Sequence, residues 1–472
     1  MTAAGDRLPP RLLPILYFSL AHLFLVAAFA AVALDPRGAA GFFYQPRTIG
    51  IVHLITIGWI SASILGSLYV IGPLALRMPM PARRSDYVAF ALFAAGGIGM
   101  TGHFFAAGHG GIGGPGGIDG PGGGAGYLGV AWSGLLVLAG LALVACRTLR
   151  ALRTAPIQAG VKLHIALAFG NVVAAGLMGL LLAAHKARPF LPGSPIDNVF
   201  AHVHLAALGW AGMMVVGAGY RMMPMVLPAA MPAGRSLYAS ALFLEAGALG
   251  LFAGFLLGGR FLLPSALLSI AGFAVFFLKV RWMLANRRRR PRWLRLPDYG
   301  VLHTFLALLY ALLSALLGVA LSIMPRSDGS LRAAAVYGVL GLVGFLGQMV
   351  LGMQARILPM FAACHANRSA TCEAPPVTPG EMGDPGLQAG VFVLWAAGVP
   401  LLAAGMGARV AAVAGTGGLL LFAASLIQAA GTARVLRRAF SARCASPGAR
   451  PLPARPALRA AHRWPRPPAG TA

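Results

Sequence analysis

Stretches of about twenty predominantly apolar residues recur along this chain, and that recurrence constrains its fold more than any other feature. One such stretch is what a helix needs to cross the hydrocarbon core of a bilayer. Twelve windows of this kind can be laid on the sequence, roughly within 11–34, 49–76, 87–107, 126–147, 159–185, 199–223, 237–257, 262–283, 299–323, 333–359, 387–406 and 408–433. All are expected to be helical, because at this hydrophobicity only a helix satisfies its own backbone in lipid. Composition agrees: 58% of the 472 residues are hydrophobic and 10% are charged, the balance of a polytopic membrane protein. No short apolar core with a small-residue cleavage site precedes the first window, so the first helix is expected to be retained.

The formal net charge of +27 would suggest nucleic acid as a partner in a soluble chain, but here its position gives it a topological meaning. Lys and Arg concentrate in the connections from an even window to the next odd one, including NRRRRPRWLR at 286–295. By the positive-inside rule these loops and both termini are expected in the cytoplasm of a bacterial-type inner membrane, with the bilayer and no nucleic acid as partner. Residues 434–472, rich in Pro and Arg without periodicity, read as a disordered cytoplasmic tail held near anionic lipid.

The windows are not independent of one another. HLITIGWISASILGSLYVIGP at 53–73 aligns without gaps with HLAALGWAGMMVVGAGYRMMP at 204–224, sharing His, Gly-Trp, a second Gly, Tyr and Pro at the same offsets. A third copy, VLGLVGFLGQMVLGMQARILP at 339–359, keeps Gly344, Gly352 and Pro359, with Phe345 in place of Trp and Val339 in place of His. The preceding odd windows repeat as well, opening on Leu13-Pro14-Ile15, Leu163-His164-Ile165 and Leu302-His303-Thr304. The unit is four helices used three times, over about 11–147, 159–283 and 299–433, in one membrane domain spanning 1–433. An even helix number preserves orientation, so the copies are expected to be related by a pseudo-threefold axis along the membrane normal.

Glycines, aromatics and the closing prolines of the repeat have ordinary packing roles; the histidines need more. His53 and His204 fall at equivalent points about two turns into their helices, and His202 lies one residue into the same apolar stretch as His204. Ionisable groups at such depth usually face a bundle interior or a polar site, and neutral imidazole is a common metal and haem ligand. Residues two apart on a helix point roughly 200° away from each other, so His202 and His204 are expected to address different sites. His103, near the same end of the third window, is a further candidate metal ligand. His22 is near mid-span, while His164 and His303 lie at the opposite ends of their helices. Hydrogen bonds to neighbouring carbonyls would account for any one of these histidines.

Glu245 is the one carboxylate well inside a window. It reads equally as a proton relay or as one end of a hydrogen bond across helices, to Asn171 or Gln348. The glycine-rich stretch HGGIGGPGGIDGPGGGAG at 109–126 lacks the Lys and the strand-to-helix setting of a phosphate loop and reads as a linker. Cys146, Cys364, Cys372 and Cys444 fall toward the basic side, where disulfides are not expected. Cys364, His365 and Cys372 match no zinc or haem-attachment spacing.

With helix-two and helix-six histidines followed by Gly-Trp and a closing Tyr-x-x-x-Pro, the membrane region resembles subunit I of the haem-copper oxidases, nearest the C-type oxidase and nitric oxide reductase branch. The resemblance implies that His53 is an axial ligand of a b-type haem, and that His204 or His202 is a ligand of a second, non-haem metal such as copper. This sequence departs from the family on helices seven and ten, which lack the family's histidine pairs, so turnover as an oxygen reductase is not expected. Because the His-x-His sits here on helix six, one haem b is expected between His53 and a helix-six histidine, preferably His204. The expected role is electron transfer, sensing or nitric oxide handling, with a cytochrome or other respiratory subunits as partners. A permease for protons or metal ions, or a metal-free assembly partner of a respiratory complex, are the alternatives.

Overall fold

The computed structural model describes residues 8–108, 123–291, 294, 296–368 and 376–440. The linker after residue 108, His109, Cys372, Cys444 and the tail from 441 lie outside the described residues. Among the described residues, twelve helices are long and apolar enough to cross a membrane. They are α1 (Leu12–Leu34), α2 (Pro46–Leu74), α3 (Arg84–Ala107), α4 (Gly126–Thr154), α5 (Ala159–Ala187) and α6 (Pro195–Val226). The rest are α7 (Ser236–Leu256), α8 (Leu262–Ala285), α9 (Tyr299–Ile323), α10 (Asp328–Arg368), α11 (Pro385–Ala408) and α12 (Ala411–Phe440). No strand occurs among the described residues, so the fold is all-α and polytopic.

The helices pack in three arcs of the same design. The first helix of each arc lies on the second (α1 on α2, α5 on α6, α9 on α10), and the third pairs with the fourth (α3 with α4, α7 with α8, α11 with α12). Contacts of α4 with α5, α8 with α9 and α12 with α1 close the arcs into a ring. Inside it, α2, α6 and α10 meet one another.

Those three inner helices share a local irregularity. Each widens into a π-helical segment of 8 residues: Leu54–Ser61, Leu205–Gly212 and Leu340–Gly347. In the repeat alignment all three begin one residue after position one, that is after His53, His204 and Val339. A wide turn of this kind is rare and is frequent at functional sites. The π segments are also where the inner helices touch, so the pseudo-threefold axis runs between them. Trp210 of α6 ties one interface by donating its indole N–H to Ser61 of α2 at 3.0 Å. Trp395 of α11 donates to the carbonyl of Val343 in α10 at 3.1 Å.

Close approach within each arc is set by the first repeated glycine. A Cβ placed on Gly58 would fall on the ring of Phe24 in α1, on Gly209 against Asn171 in α5, and on Gly344 against Tyr310 in α9. The same position in each copy therefore seats a side chain from the arc's first helix.

Two helix limits differ from the hydropathy windows. The helix α10 has 41 residues, about 60 Å at 1.5 Å per residue, twice the hydrocarbon thickness, so it projects beyond any bilayer. The helix α12 continues to Phe440, which corrects the tail boundary read at 434. Polar anchoring explains the extension: Arg434 pairs with Asp384 at 3.3 Å and Arg438 donates to the carbonyls of Met382 and Gly383. The Arg11 guanidinium also lies 4.0 Å over the Phe440 ring.

Candidate functional site

A cavity of about 580 Å³ lies between the arcs, around the start of the π segments. Its walls are mainly aliphatic and aromatic, and its size is that of a small-molecule or cofactor pocket. His53, His202 and His204 all line it.

Each of these histidines is oriented by its own ring nitrogen. Nδ1 of His53 donates to the carbonyl of Ile49 at 2.8 Å, Nδ1 of His202 to Ala175 of α5 at 2.9 Å, and Nδ1 of His204 to Phe200 at 2.7 Å. A carbonyl can only accept, so the proton sits on Nδ1 and the lone pair of the neutral ring is on Nε2. This is the outer-shell arrangement that orients imidazole ligands toward a metal.

The three rings divide between two interfaces. His53 and His202 face one another between the first and second arcs, with ring centroids 6.5 Å apart and planes inclined by 19°. Phe104 of α3 covers His53 at 5.1 Å. His204 points the other way, between the second and third arcs, where Tyr337 of α10 lies at 6.0 Å and Phe255 of α7 at 5.1 Å. His202 and His204 thus meet different neighbours, His53 for the first and Tyr337 for the second. Of the two helix-six histidines it is His202, and not the preferred His204, whose ring lies beside that of His53. Symmetry mates face equivalent interfaces and not each other, so His204 addresses the second interface as His53 addresses the first.

The remaining sequence candidates do not join the cavity. His103 is exposed, with its ring over Gly129 of α4. A metal site combining it with His202 and His204 is not assembled, and among the described residues no three His, Cys, Asp or Glu side chains come together to hold an ion. His22 is buried and ties α1 to α12, with Nδ1 on the carbonyl of Phe18 at 2.6 Å and Nε2 against Thr432 at 3.1 Å. His164 bonds Gly160 at 2.7 Å and Ser240 at 3.3 Å, and His303 bonds Gln348. His185 accepts from the amides of Phe190 and Leu191, closing the turn after α5. His365 packs on Phe361 and Phe440.

Glu245 is half-buried on α7 and accepts from Asn171 Nδ2 at 2.7 Å, while the same amide donates to the carbonyl of Gly209 at 3.1 Å. Asn171 is thus the partner, and Gln348 is taken by His303. Tyr337, which lines the cavity beside His204, is not among the residues singled out from the sequence. Its signal was present: it lies two residues before Val339, as His202 lies two before His204.

No protein-family model matches the chain, and no curated protein matches it.

Proposed function

We propose that this chain is a haem-binding membrane protein resembling subunit I of the haem-copper oxidases but reduced to a single bis-histidine site, held by His53 and His202. The observation that carries this reading is the pairing of the two rings. Two imidazoles that held one metal through bonds of about 2 Å each would have ring centres roughly 6 Å apart, close to the 6.5 Å of this pair. Nδ1 of each ring is fixed by a carbonyl, and among the described residues neither Nε2 has a hydrogen-bond partner. An apolar cavity of about 580 Å³ adjoins them.

A bare copper or zinc ion needs three or four protein ligands. A haem brings four nitrogens of its own and asks for one or two side chains, which suits a site with two. Held by His53 and His202, such a group would supply one-electron transfer. His53 and His202 would hold it between arcs, the carbonyls of Ile49 and Ala175 would keep both rings in the ligating tautomer, and Phe104 would exclude water. Distribution of the basic loops supports an inner-membrane setting with this site toward the outer face and a cytochrome or other respiratory subunit as redox partner.

Visible spectra of the protein purified from haem-replete cells test the reading. A reduced-minus-oxidised Soret difference is expected for the wild type and for His204→Ala, and its loss for His53→Ala and His202→Ala. A colourless wild-type protein, or a spectrum that depends on His204 and not on His202, would overturn it.

A further inference from the structure

At the end of the bundle that carries the basic connections, away from the cavity, a half-buried guanidinium of α6 has no carboxylate among the described residues. We infer that Arg221, with Arg77 beside it, binds a phosphate group, carried by an anionic lipid headgroup or free in solution.

The repeat shows what is missing. Arg221 occupies in the second copy the position that Arg356 has in the third. Arg356 pairs with Asp298, the N-cap of α9, whereas the second arc has Ala159 at the place of Asp298, counted back from His164 and His303. Arg221 therefore finds only neutral partners among the described residues. Nε and Nη2 donate to the carbonyl of Ala75, just beyond α2, at 3.2 and 2.7 Å, and Nη1 meets the sulfur of Met231 at 3.9 Å. That holds the guanidinium by one side and leaves the N–H groups along its Nη1–Nη2 edge for an outside acceptor, the fork that matches two oxygens of one phosphate. A guanidinium held among neutral groups and partly out of water is costly without an anion.

No acid of the described chain is free to serve. At this end Asp86, Asp298 and Asp384 are held by Arg147, Arg356 and Arg434, and Glu381 closes a capping box on Thr378. The surroundings add positive charge instead. Arg77, two residues beyond Ala75, is exposed, makes no ion pair among the described residues and is near enough to repel Arg221. The loop that carries Met231 is stitched to the arginine run: Ala229 is bridged to Arg287, Ala230 N donates to the carbonyl of Asn286 at 3.1 Å and Arg288 N to that of Pro228 at 2.7 Å. The exposed Arg287 and Arg288 are thereby brought to the same loop. Met225, Met231 and Trp282 on these elements are exposed as well, apolar ground suited to acyl chains beneath a headgroup.

The delipidated, detergent-solubilised full chain is titrated with dioleoylphosphatidylglycerol, dioleoylphosphatidylcholine and inorganic phosphate, the last against chloride at equal ionic strength, and its unfolding temperature is followed. A saturable rise of about 3 °C or more is expected with phosphatidylglycerol or with inorganic phosphate. A rise with the lipid only makes the headgroup the source; a rise with inorganic phosphate shows that the free anion suffices. Arg221→Gln keeps a donor for Ala75, and Arg77→Asn suits the left-handed backbone there, at φ 52°. Each is expected to raise the half-saturating concentration about tenfold, the equivalent of one charge-assisted hydrogen bond, whereas Arg437→Gln, at an exposed position of α12, leaves it unchanged. Unfolding temperatures without ligand verify that the variants fold. No saturable rise, an equal rise with phosphatidylcholine, unchanged half-saturation in both variants, or the same loss in Arg437→Gln would each overturn the inference.

Discussion

Tyr337 stands to His204 as His202 stands to His53. In each pair the first residue opens an inner-helix repeat and the second lies two residues before the opening of the next, and the geometry repeats at 6.5 Å and 19° for His53–His202 against 6.0 Å and 23° for His204–Tyr337. The third interface would pair Val339 with Ile51, both buried and apolar. One backbone design therefore presents His–His, His–Tyr and Val–Ile in turn, and side-chain identity alone differentiates the three.

That relationship makes a direct prediction. His202→Tyr converts the first interface into a copy of the second and should abolish the reduced-minus-oxidised Soret difference, while Tyr337→Phe should leave it intact. Equal spectra from both variants would show that the two pairs are not differentiated in this way.

The Asn171 amide links α5 to Glu245 on α7 and to the π segment of α6. Glu245→Gln keeps an acceptor for that amide and should unfold within a few degrees of wild type. Glu245→Ala leaves the Asn171 donor unmatched and should cost about 1–3 kcal/mol. Thermal unfolding in detergent, followed by tryptophan fluorescence, checks this hydrogen-bonding role, and equal destabilisation by Gln and Ala would overturn it.

His303 and Gln348 form a fully buried pair between α9 and α10, away from the cavity lining. His303→Ala should lower the unfolding temperature, since Gln348 loses its partner, yet leave haem content per protein unchanged. Pyridine haemochrome assay of the folded fraction decides the matter, and a proportionate loss of haem would reassign His303 to the site.

The spans and the repeat were legible because they rest on local properties. Hydropathy depends on a twenty-residue window, and the Gly-Trp, Gly and Pro offsets survive in the sequence of each copy. The divergence of His202 and His204 was legible too, from helical periodicity alone. Pairing across helices was not. Alignment of His53 with His204 says that they are equivalent, and equivalence under a rotation axis places them at different interfaces, so choosing His204 as the partner of His53 mistook symmetry for proximity. Nor could hydropathy find the end of α12, because Arg434 and Arg438 extend that helix through contacts with residues 382–384, about fifty positions earlier.

The repeated glycine offers the sharpest test of the packing that holds these interfaces in place. A Cβ on Gly209 would lie 2.8 Å from Asn171 Cγ, closer than a side chain can settle, and Asn171 cannot retreat without leaving both Glu245 and the π segment. Gly209→Ala should therefore destabilise by about 1–3 kcal/mol, the usual cost of overpacking, although alanine is the better helix former by up to about 1 kcal/mol. At Gly170, the residue before Asn171 on α5, a Cβ would meet nothing within 4 Å, so Gly170→Ala should leave the unfolding temperature unchanged or raise it. Opposite signs from the same substitution, one residue before Asn171 and one at its contact, would place the constraint in the contact itself. If Gly209→Ala unfolded at or above the wild-type temperature, the glycine would be dispensable and the close seating of α6 on α5 would have to rest on other residues.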